Sequence, residues 1–195
     1  MKILFIHPGP LLYTNVFLRL EPLGLELVAE AARRAKHSVR LLDLQVESYA
    51  DYHRMIAEWQ PDFIAFSCNY LANVPEIVDL AKAAKRRLPR SFICVGGHSA
   101  SFTAQAIVEH GEGAIDCVLK GEGEASIVKL LEAVAGDRAA IAKVPGAVTS
   151  DASAINTSSA SHKIARRPDV VEGARRRPAE DPRRLRRLQS RAVVE

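Results

Sequence analysis

Five short apolar runs, separated by amphipathic stretches, constrain the fold more than any other feature of this sequence. The runs are rich in Ile, Val, Leu and Phe, and none alternates cleanly between apolar and polar residues. That pattern is typical of strands that helices cover on both faces of a parallel sheet. The predicted strands are residues 2–6, 39–43, 62–66, 91–95 and 115–119.

The stretches between these runs are predicted helices, because their apolar residues recur at three- and four-residue spacing. Five repeats of strand and helix imply right-handed crossovers. We therefore expect an α/β fold: a flavodoxin-like (Rossmann-like) doubly wound sheet of five parallel strands in the order 2-1-3-4-5. Ligands of such sheets bind outside the carboxyl ends of the strands, so function is expected in the loops that follow them. The predicted helices are residues 22–35, 51–59, 75–87, 103–110 and 124–135.

Residues 1–150 form the predicted α/β domain, and residues 151–195 form a basic tail that is predicted to be disordered. The tail is rich in Ala, Ser, Arg and Pro, and it has no periodic apolar face. Residues 152–195 hold 11 Lys and Arg against 5 Asp and Glu, whereas the first 151 residues hold 16 against 18. The domain therefore lacks the basic face that nucleic-acid binding requires, and this function could rest only on the tail.

No secretion signal and no membrane span are predicted. The first apolar run is followed at once by His7 and Pro8, which leaves it too short for either purpose. The three cysteines, Cys68, Cys94 and Cys117, are odd in number and lie more than 20 positions apart. They are predicted to be buried free thiols, and the chain is predicted to be cytoplasmic.

The loop after the first predicted strand contains His7, Pro8 and Gly9, followed by a long stretch to Glu21. It lacks the acidic residues of a response-regulator receiver, the Ser- and Thr-rich phosphate loop of a flavodoxin and the glycine spacing of a dinucleotide fold. Its small and rigid residues keep the backbone close to whatever lies above the sheet. His7 is open to two interpretations, a metal ligand or a hydrogen-bonded structural residue.

Polar side chains follow the third predicted strand, where Ser67, Asn69 and Tyr70 stand at the expected binding crevice. A polar cluster at a strand end also serves to cap the next helix, and Asn73 or the serine would fit that purpose. Both interpretations stay open at this point.

The turns after the fourth and fifth predicted strands are rich in glycine. Paired glycines directly after a buried strand indicate either a backbone that passes close to a bulky ligand or a tight turn through positive φ. In the last turn the glycines bring backbone close to the crevice, while carboxylates enter the next helix at its N-terminus. The two turns contribute Gly96, Gly97, His98, Gly121, Glu122, Gly123 and Glu124.

Gly-Gly-His after the fourth strand and Gly-Glu-Gly-Glu after the fifth, in this order, resemble the cobalamin (B12)-binding N-terminal domain of B12-dependent radical SAM proteins. The resemblance covers residues 1–150, and residues 17–26 are similar to the hopanoid C-3 methylase branch. It implies a corrin ring over the carboxyl ends of the strands, with a nucleotide tail reaching into the sheet between the glycine turns. The implied cofactor-binding residues are His7, Pro8, Gly9, Ser67, Asn69, Tyr70, Gly96, Gly97, His98, Gly121, Glu122, Gly123 and Glu124.

Two motifs of these relatives are missing from the sequence. There is no Asp-x-His-x-x-Gly motif, so the resemblance implies solvent or nothing as the lower ligand of cobalt. There is no Cys-x-x-x-Cys-x-x-Cys spacing, which a 4Fe–4S cluster of a radical SAM barrel needs. We expect a cobalamin-binding module without catalytic or metal-ligating residues of its own, truncated or frameshifted near Asp151. A separate radical SAM chain is the partner that would supply the chemistry.

Two other classes of function remain as alternatives. One is a flavodoxin-like adaptor whose basic tail binds nucleic acid or an acidic partner, and its binding would weaken steeply with salt. The other is an autonomous enzyme that uses His98 with Ser99, or His7 with Tyr70. Neither pair has an obvious orienting carboxylate, which disfavours the enzyme.

Overall fold

The structure, a computed structural model, describes residues 1–10 and 21–150. All five predicted strands and all five predicted helices are found, with ends that differ from the prediction by at most two residues. The predicted tail and residues 17–20 of the 17–26 stretch lie outside the described residues. The strands are β1 (Lys2–His7), β2 (Ser38–Asp43), β3 (Phe63–Ser67), β4 (Phe92–Gly96), β5 (Cys117–Leu119) and β6 (Ala147–Val148).

The helices pack on both faces of the sheet. A short helix that the sequence pattern does not predict, α4, begins directly after β4, because its five residues are too few to show a helical period. Two 3-10 turns, Leu71–Asn73 and Arg138–Lys143, complete the described elements. The α-helices of the described residues are α1 (Leu23–Arg34), α2 (Tyr49–Glu58), α3 (Val74–Arg87), α4 (His98–Phe102), α5 (Ala104–His110) and α6 (Gly123–Ala135).

The sheet has six strands in the order β2-β1-β3-β4-β5-β6. Its first five strands are parallel and follow the predicted order, so that prediction is confirmed. The prediction of five strands in all is wrong, because β6 pairs antiparallel with β5. Strand β6 has only two residues, too few to show as an apolar run in the sequence. It is recognised by its pairing with β5, which the hydrogen bond from Lys120 N–H to the Gly146 carbonyl at 2.8 Å extends.

Two apolar cores lie on opposite faces of the sheet. One core joins the sheet to α1 and α6, and it includes Phe5, Ala65 and Cys94. The other joins the sheet to α2, α3 and α5. Strands β1, β3, β4 and β5 are buried along nearly their whole length, as the continuous apolar runs predict.

Edge strand β2 departs from this pattern, since several of its side chains face solvent. The three cysteines are free and buried, which confirms the prediction from their number and spacing. Among the described residues, no helix is long and apolar enough to cross a membrane.

Candidate functional site

A cleft of about 420 Å³ opens at the carboxyl ends of the strands, beside the first turns of α1 and α6. Its floor is the sheet face that carries these two helices, and Phe5, Ala65 and Cys94 line it. Ala65 and Cys94 lie on neighbouring central strands, and their small side chains leave room above the sheet. The cleft therefore lies where doubly wound sheets bind ligands.

Two glycines of the cleft wall leave space that a side chain would fill. A Cβ added at Gly96 would lie 3.6 Å from the Leu119 carbonyl oxygen, which is an ordinary contact, and would otherwise meet open space. Among residues 1–10 and 21–150, no heavy atom lies within 4 Å of a Cβ added at Gly24, near the start of α1. A larger side chain at either position would enter the cleft rather than collide with these residues.

Gly97 is a glycine for a different reason. Its φ is 107°, and an added Cβ would lie 2.8 Å from the Cys68 carbonyl oxygen and 2.9 Å from Asn69 Oδ1. The Ser99 hydroxyl donates to the Asn69 carbonyl at 2.8 Å and holds the same two segments together. Gly97 thus permits the turn after β4 to pack against the turn after β3, whether or not a ligand is present.

The mouth of the cleft carries an exposed aromatic side chain. Phe102, in the last turn of α4, is 77% exposed although it lines the cleft. The His98 ring meets it edge-on, with ring centroids 5.1 Å apart. An aromatic surface at the entrance suits a ligand with a large apolar or planar part.

The loop after β1, residues 8–10, is attached to α2 and α3, the helices that cover the face of the sheet opposite to the cleft floor. The carboxylate of Glu76, in α3, accepts from Gly9 N–H at 2.8 Å and from the Tyr49 hydroxyl at 2.9 Å. The Asn73 side chain donates to the Gly9 carbonyl and to Glu76, each at 3.2 Å. Burial and the bond to Glu76 raise the pKa of Tyr49 to about 12.

His7, the last residue of β1, directly precedes this loop and is buried. The Gln45 amide donates to His7 Nε2 at 2.7 Å. His7 Nδ1 and Gln45 Oε1 find no hydrogen-bond partner among the described residues. Burial lowers the pKa of His7 below its ordinary value of 6.5, against the opposing effect of the Asp43 and Glu76 carboxylates. His7 is therefore a neutral, hydrogen-bonded residue, the second of the two interpretations of its sequence.

The His98–Ser99 pair considered for an autonomous enzyme is not joined by a hydrogen bond between the described side chains. The Ser99 hydroxyl donates to a backbone carbonyl rather than to His98. The described residues contain no group of three or more His, Cys, Asp or Glu that would hold a metal ion. Asn73 stands at the N-terminus of α3, but its side chain binds the first loop instead of capping the helix.

The cleft brings together nine of the thirteen predicted site residues, whereas His7, Pro8, Gly9 and Tyr70 are not among its described lining residues. Sequence reasoning missed the floor, because small residues inside a strand look like ordinary core. It also missed Gly24 and the mouth residue Phe102. For Gly24, an isolated glycine near the start of a helix was a signal that the sequence offered, whereas Phe102 had none. The nine are Ser67, Asn69, Gly96, Gly97, His98, Gly121, Glu122, Gly123 and Glu124.

The cysteine on the cleft floor is not poised to react as a thiolate. Cys94 and Cys117 are register partners on β4 and β5. The neighbouring Cys117 thiol and burial raise the pKa of Cys94 well above its ordinary value. The floor is therefore neutral and largely apolar.

The sequence model of the B12-binding domain family matches residues 9–131, a span that contains both glycine turns and the helices beside the cleft. The chain belongs to the B12-binding domain family. The family resemblance drawn from Gly-Gly-His and Gly-Glu-Gly-Glu is thereby confirmed.

This B12-binding domain is 63% identical over 149 residues to hopanoid C-3 methylase of Methylococcus capsulatus, which confirms the similarity to that branch. The alignment covers 76% of this chain and 29% of that protein. A second relative, an uncharacterized methyltransferase of Pyrococcus horikoshii, is 29% identical over 119 residues, covering 60% of this chain and 25% of the relative. The chain thus spans under a third of the length of each relative.

A solved structure has the same fold as this B12-binding domain. It is the crystal structure of a cobalamin-binding protein from Desulfitobacterium hafniense, with a TM-score of 0.53 and 14% sequence identity. The similarity covers 69% of this chain and 59% of that chain. At this identity the comparison supports the α/β architecture.

Proposed function

We propose that residues 1–150 bind cobalamin, with the nucleotide tail of the cofactor in the cleft and the corrin ring over the carboxyl ends of the strands. The observation that carries the proposal is the cleft itself, a space of about 420 Å³ with an apolar floor and glycines in its wall. Membership in the B12-binding domain family supports cobalamin as the ligand.

The residues of the cleft fit such a ligand. Phe5, Ala65 and Cys94 offer a neutral floor for the aromatic base of the tail. Gly24 and Gly96 provide room where a side chain would stand. The volume lies within the usual range of small-molecule sites, roughly 300–1,000 Å³.

The polar residues at the strand ends orient the ligand in this proposal. Ser67 and Asn69, after β3, offer a hydroxyl and an amide at the edge of the cleft. His7, Pro8, Gly9 and Tyr70 lie outside the cleft but at the same end of the sheet, so we assign them to the corrin ring rather than to the tail. Because the Gln45 amide occupies His7 Nε2, His7 is proposed to leave the cobalt without an imidazole ligand.

When bound, cobalamin supplies a cobalt centre that carries a methyl group, and the relatives named as methylase and methyltransferase fit this use. The chain would hold and orient the cofactor, and a polypeptide segment outside these residues would catalyse the methyl transfer. All three cysteines of the sequence are buried in the sheet region and lack the radical SAM spacing. A radical SAM centre would therefore come from outside these 195 residues. Free thiols are consistent with a cytoplasmic location, which we propose for this chain.

The test is an absorbance titration of the full chain with hydroxocobalamin, followed by gel filtration. Gly96→Val should abolish retention of the corrin, because the added side chain enters the cleft. Ala106→Val, on the exposed side of α5 and on the other face of the sheet, is the matched control and should bind like the wild type. Retention of corrin by Gly96→Val would place the ligand elsewhere, and no retention by the wild type would refute cobalamin binding.

A further inference from the structure

We propose that Ser101 is a positioning residue that sets the spacing between the two glycine turns of the cleft. The inference rests on the proposed cobalamin function and adds a residue to it. Ser101 lies in α4 and lines the cleft. Its hydroxyl donates to the Gly97 carbonyl at 3.1 Å and accepts from Gly121 N–H at 3.1 Å.

The Ser101 hydroxyl is the one described side-chain group that links the turn after β4 to the turn after β5 by hydrogen bonds. A serine hydroxyl offers one donor and two acceptor sites, so these two contacts use its donor and one acceptor. Removing the oxygen would break both contacts at once. Gly121 would then be free to move relative to the turn after β4.

Gly121 depends on this link more than Gly97 does, although its neighbours Lys120 and Gly123 are held by Gly146 and Val28. Gly97 is already packed against the Cys68 carbonyl, and Ser99 adds a second attachment to Asn69. Gly121, with φ of 80°, has no heavy atom of the described part of the chain within 4 Å of the position that a Cβ would take. Glu122, the N-cap of α6, makes no side-chain capping bond. Ser101 therefore fixes the position of Gly121 relative to the well-packed turn after β4.

Loss of this link should weaken cofactor binding more than it weakens the fold. The Gly121 amide is exposed, so water can replace the hydroxyl at little cost in stability. If the walls of the cleft are no longer held at a fixed distance, ligand binding must order them, and this loss of conformational entropy lowers the affinity. We expect Ser101→Ala to lower the affinity for hydroxocobalamin about tenfold.

The experiment compares three variants of the full chain. Ser101→Ala removes the hydroxyl, Ser101→Thr restores it, and Thr103→Ala removes a neighbouring hydroxyl that donates only to Ser99 O, at 3.0 Å. The measurements are the dissociation constant for hydroxocobalamin, the visible circular dichroism of the bound corrin, and hydrogen exchange of the Gly121 amide without ligand. Ser101→Ala should weaken binding, change the dichroism and speed the exchange, whereas the other two variants should match the wild type.

The hydrogen-exchange measurement keeps this inference separate from the proposed function. Unchanged exchange at Gly121 in Ser101→Ala would overturn the link even if the wild type retained no corrin. Faster exchange with an affinity within twofold of the wild type would overturn the positioning role while leaving cobalamin binding intact. A wild type that fails to bind cobalamin refutes both the proposed function and the positioning role.

Discussion

The loop after β1 and the turn after β4 look alike in sequence, since each combines glycine and histidine at the end of a buried strand, and the turn after β5 adds two further glycines. In the structure they differ. The amide of Gly9 is bound by Glu76, and a Cβ at Gly9 would lie 3.0 Å from the same carboxylate oxygen. Gly96 has open space instead. The first loop is closed by the protein itself, while the glycine turns leave room for another molecule.

This difference shows how to separate a structural glycine from one that serves a ligand. A loop whose polar atoms and Cβ positions are already occupied by the protein leaves no space inside it for a cofactor and can offer only its outer surface. The glycine turns contain both kinds, because Gly97 is packed and the adjacent Gly96 is not. Each prediction below would break or sharpen this separation.

The largest effect is expected from Gly97→Ala. Its positive φ and the 2.8 Å approach to the Cys68 carbonyl should cost at least about 3 kcal/mol of the free energy of unfolding. Gly96→Ala is the control and should cost far less. Urea unfolding of both variants measures the difference, and equal losses would show that the two glycines do not differ in kind.

Glu76→Ala comes next, because this carboxylate anchors the first loop through Gly9, Tyr49 and Asn73. We expect a loss of about 2 kcal/mol of stability and a much smaller loss of corrin affinity than in Gly96→Val. Asp79→Ala, at an exposed position of the same helix, controls for the change of charge. If the Glu76→Ala protein folds but no longer binds corrin, the first loop is needed for ligand binding and not only for stability.

Phe102→Ala should weaken hydroxocobalamin binding about tenfold, through lost apolar contact at the mouth of the cleft. The melting temperature should stay the same, since the side chain is mostly exposed. Leu71→Ala removes an exposed apolar side chain after β3 and serves as the control. Equal binding by Phe102→Ala and wild type would argue that the mouth does not touch the cofactor.

Lys36→Gly tests backbone strain alone, far from any ligand argument. Lys36, after α1, has a φ of 66°, and glycine should raise the free energy of unfolding by about 0.5–1 kcal/mol. Lys129→Gly, in the middle of α6, should instead destabilise by a similar amount. A lower melting temperature for Lys36→Gly would count against the strain that the comparison of glycines assumes.

The smallest effect concerns the pH dependence of stability. Because burial lowers the pKa of His7 below 6.5, the unfolded chain binds its proton first as the pH falls. The contribution of neutral His7 is therefore present above about pH 6.5 and is lost between that value and the lower pKa of the folded protein. His7→Gln should lose less stability than the wild type between about pH 7.5 and about pH 5.5 in urea unfolding. Parallel curves would mean that His7 is not desolvated.

The sequence predicts most of the fold because each strand and helix has a local apolar pattern. Strand β6 has none, since it exists through pairing with Val118 and Leu119. The glycine motifs likewise predict two walls of the cleft. The role of the first loop could not be predicted, because Gly9 is bound by a residue 67 positions away in the chain. The motif of Gly97 shows that glycine is required, but only the approach of Cys68 shows why.

Strand β6 also bears on how the domain can be cut. The family match ends at residue 131, and every described lining residue of the cleft lies before that point. A fragment ended there would keep these residues yet expose the backbone edge of β5, and it would lose Ile141 and Val144 from the core. Exposed strand edges pair with other chains, so such a fragment would aggregate. We therefore expect that the shortest piece that stays soluble on its own runs to about residue 150.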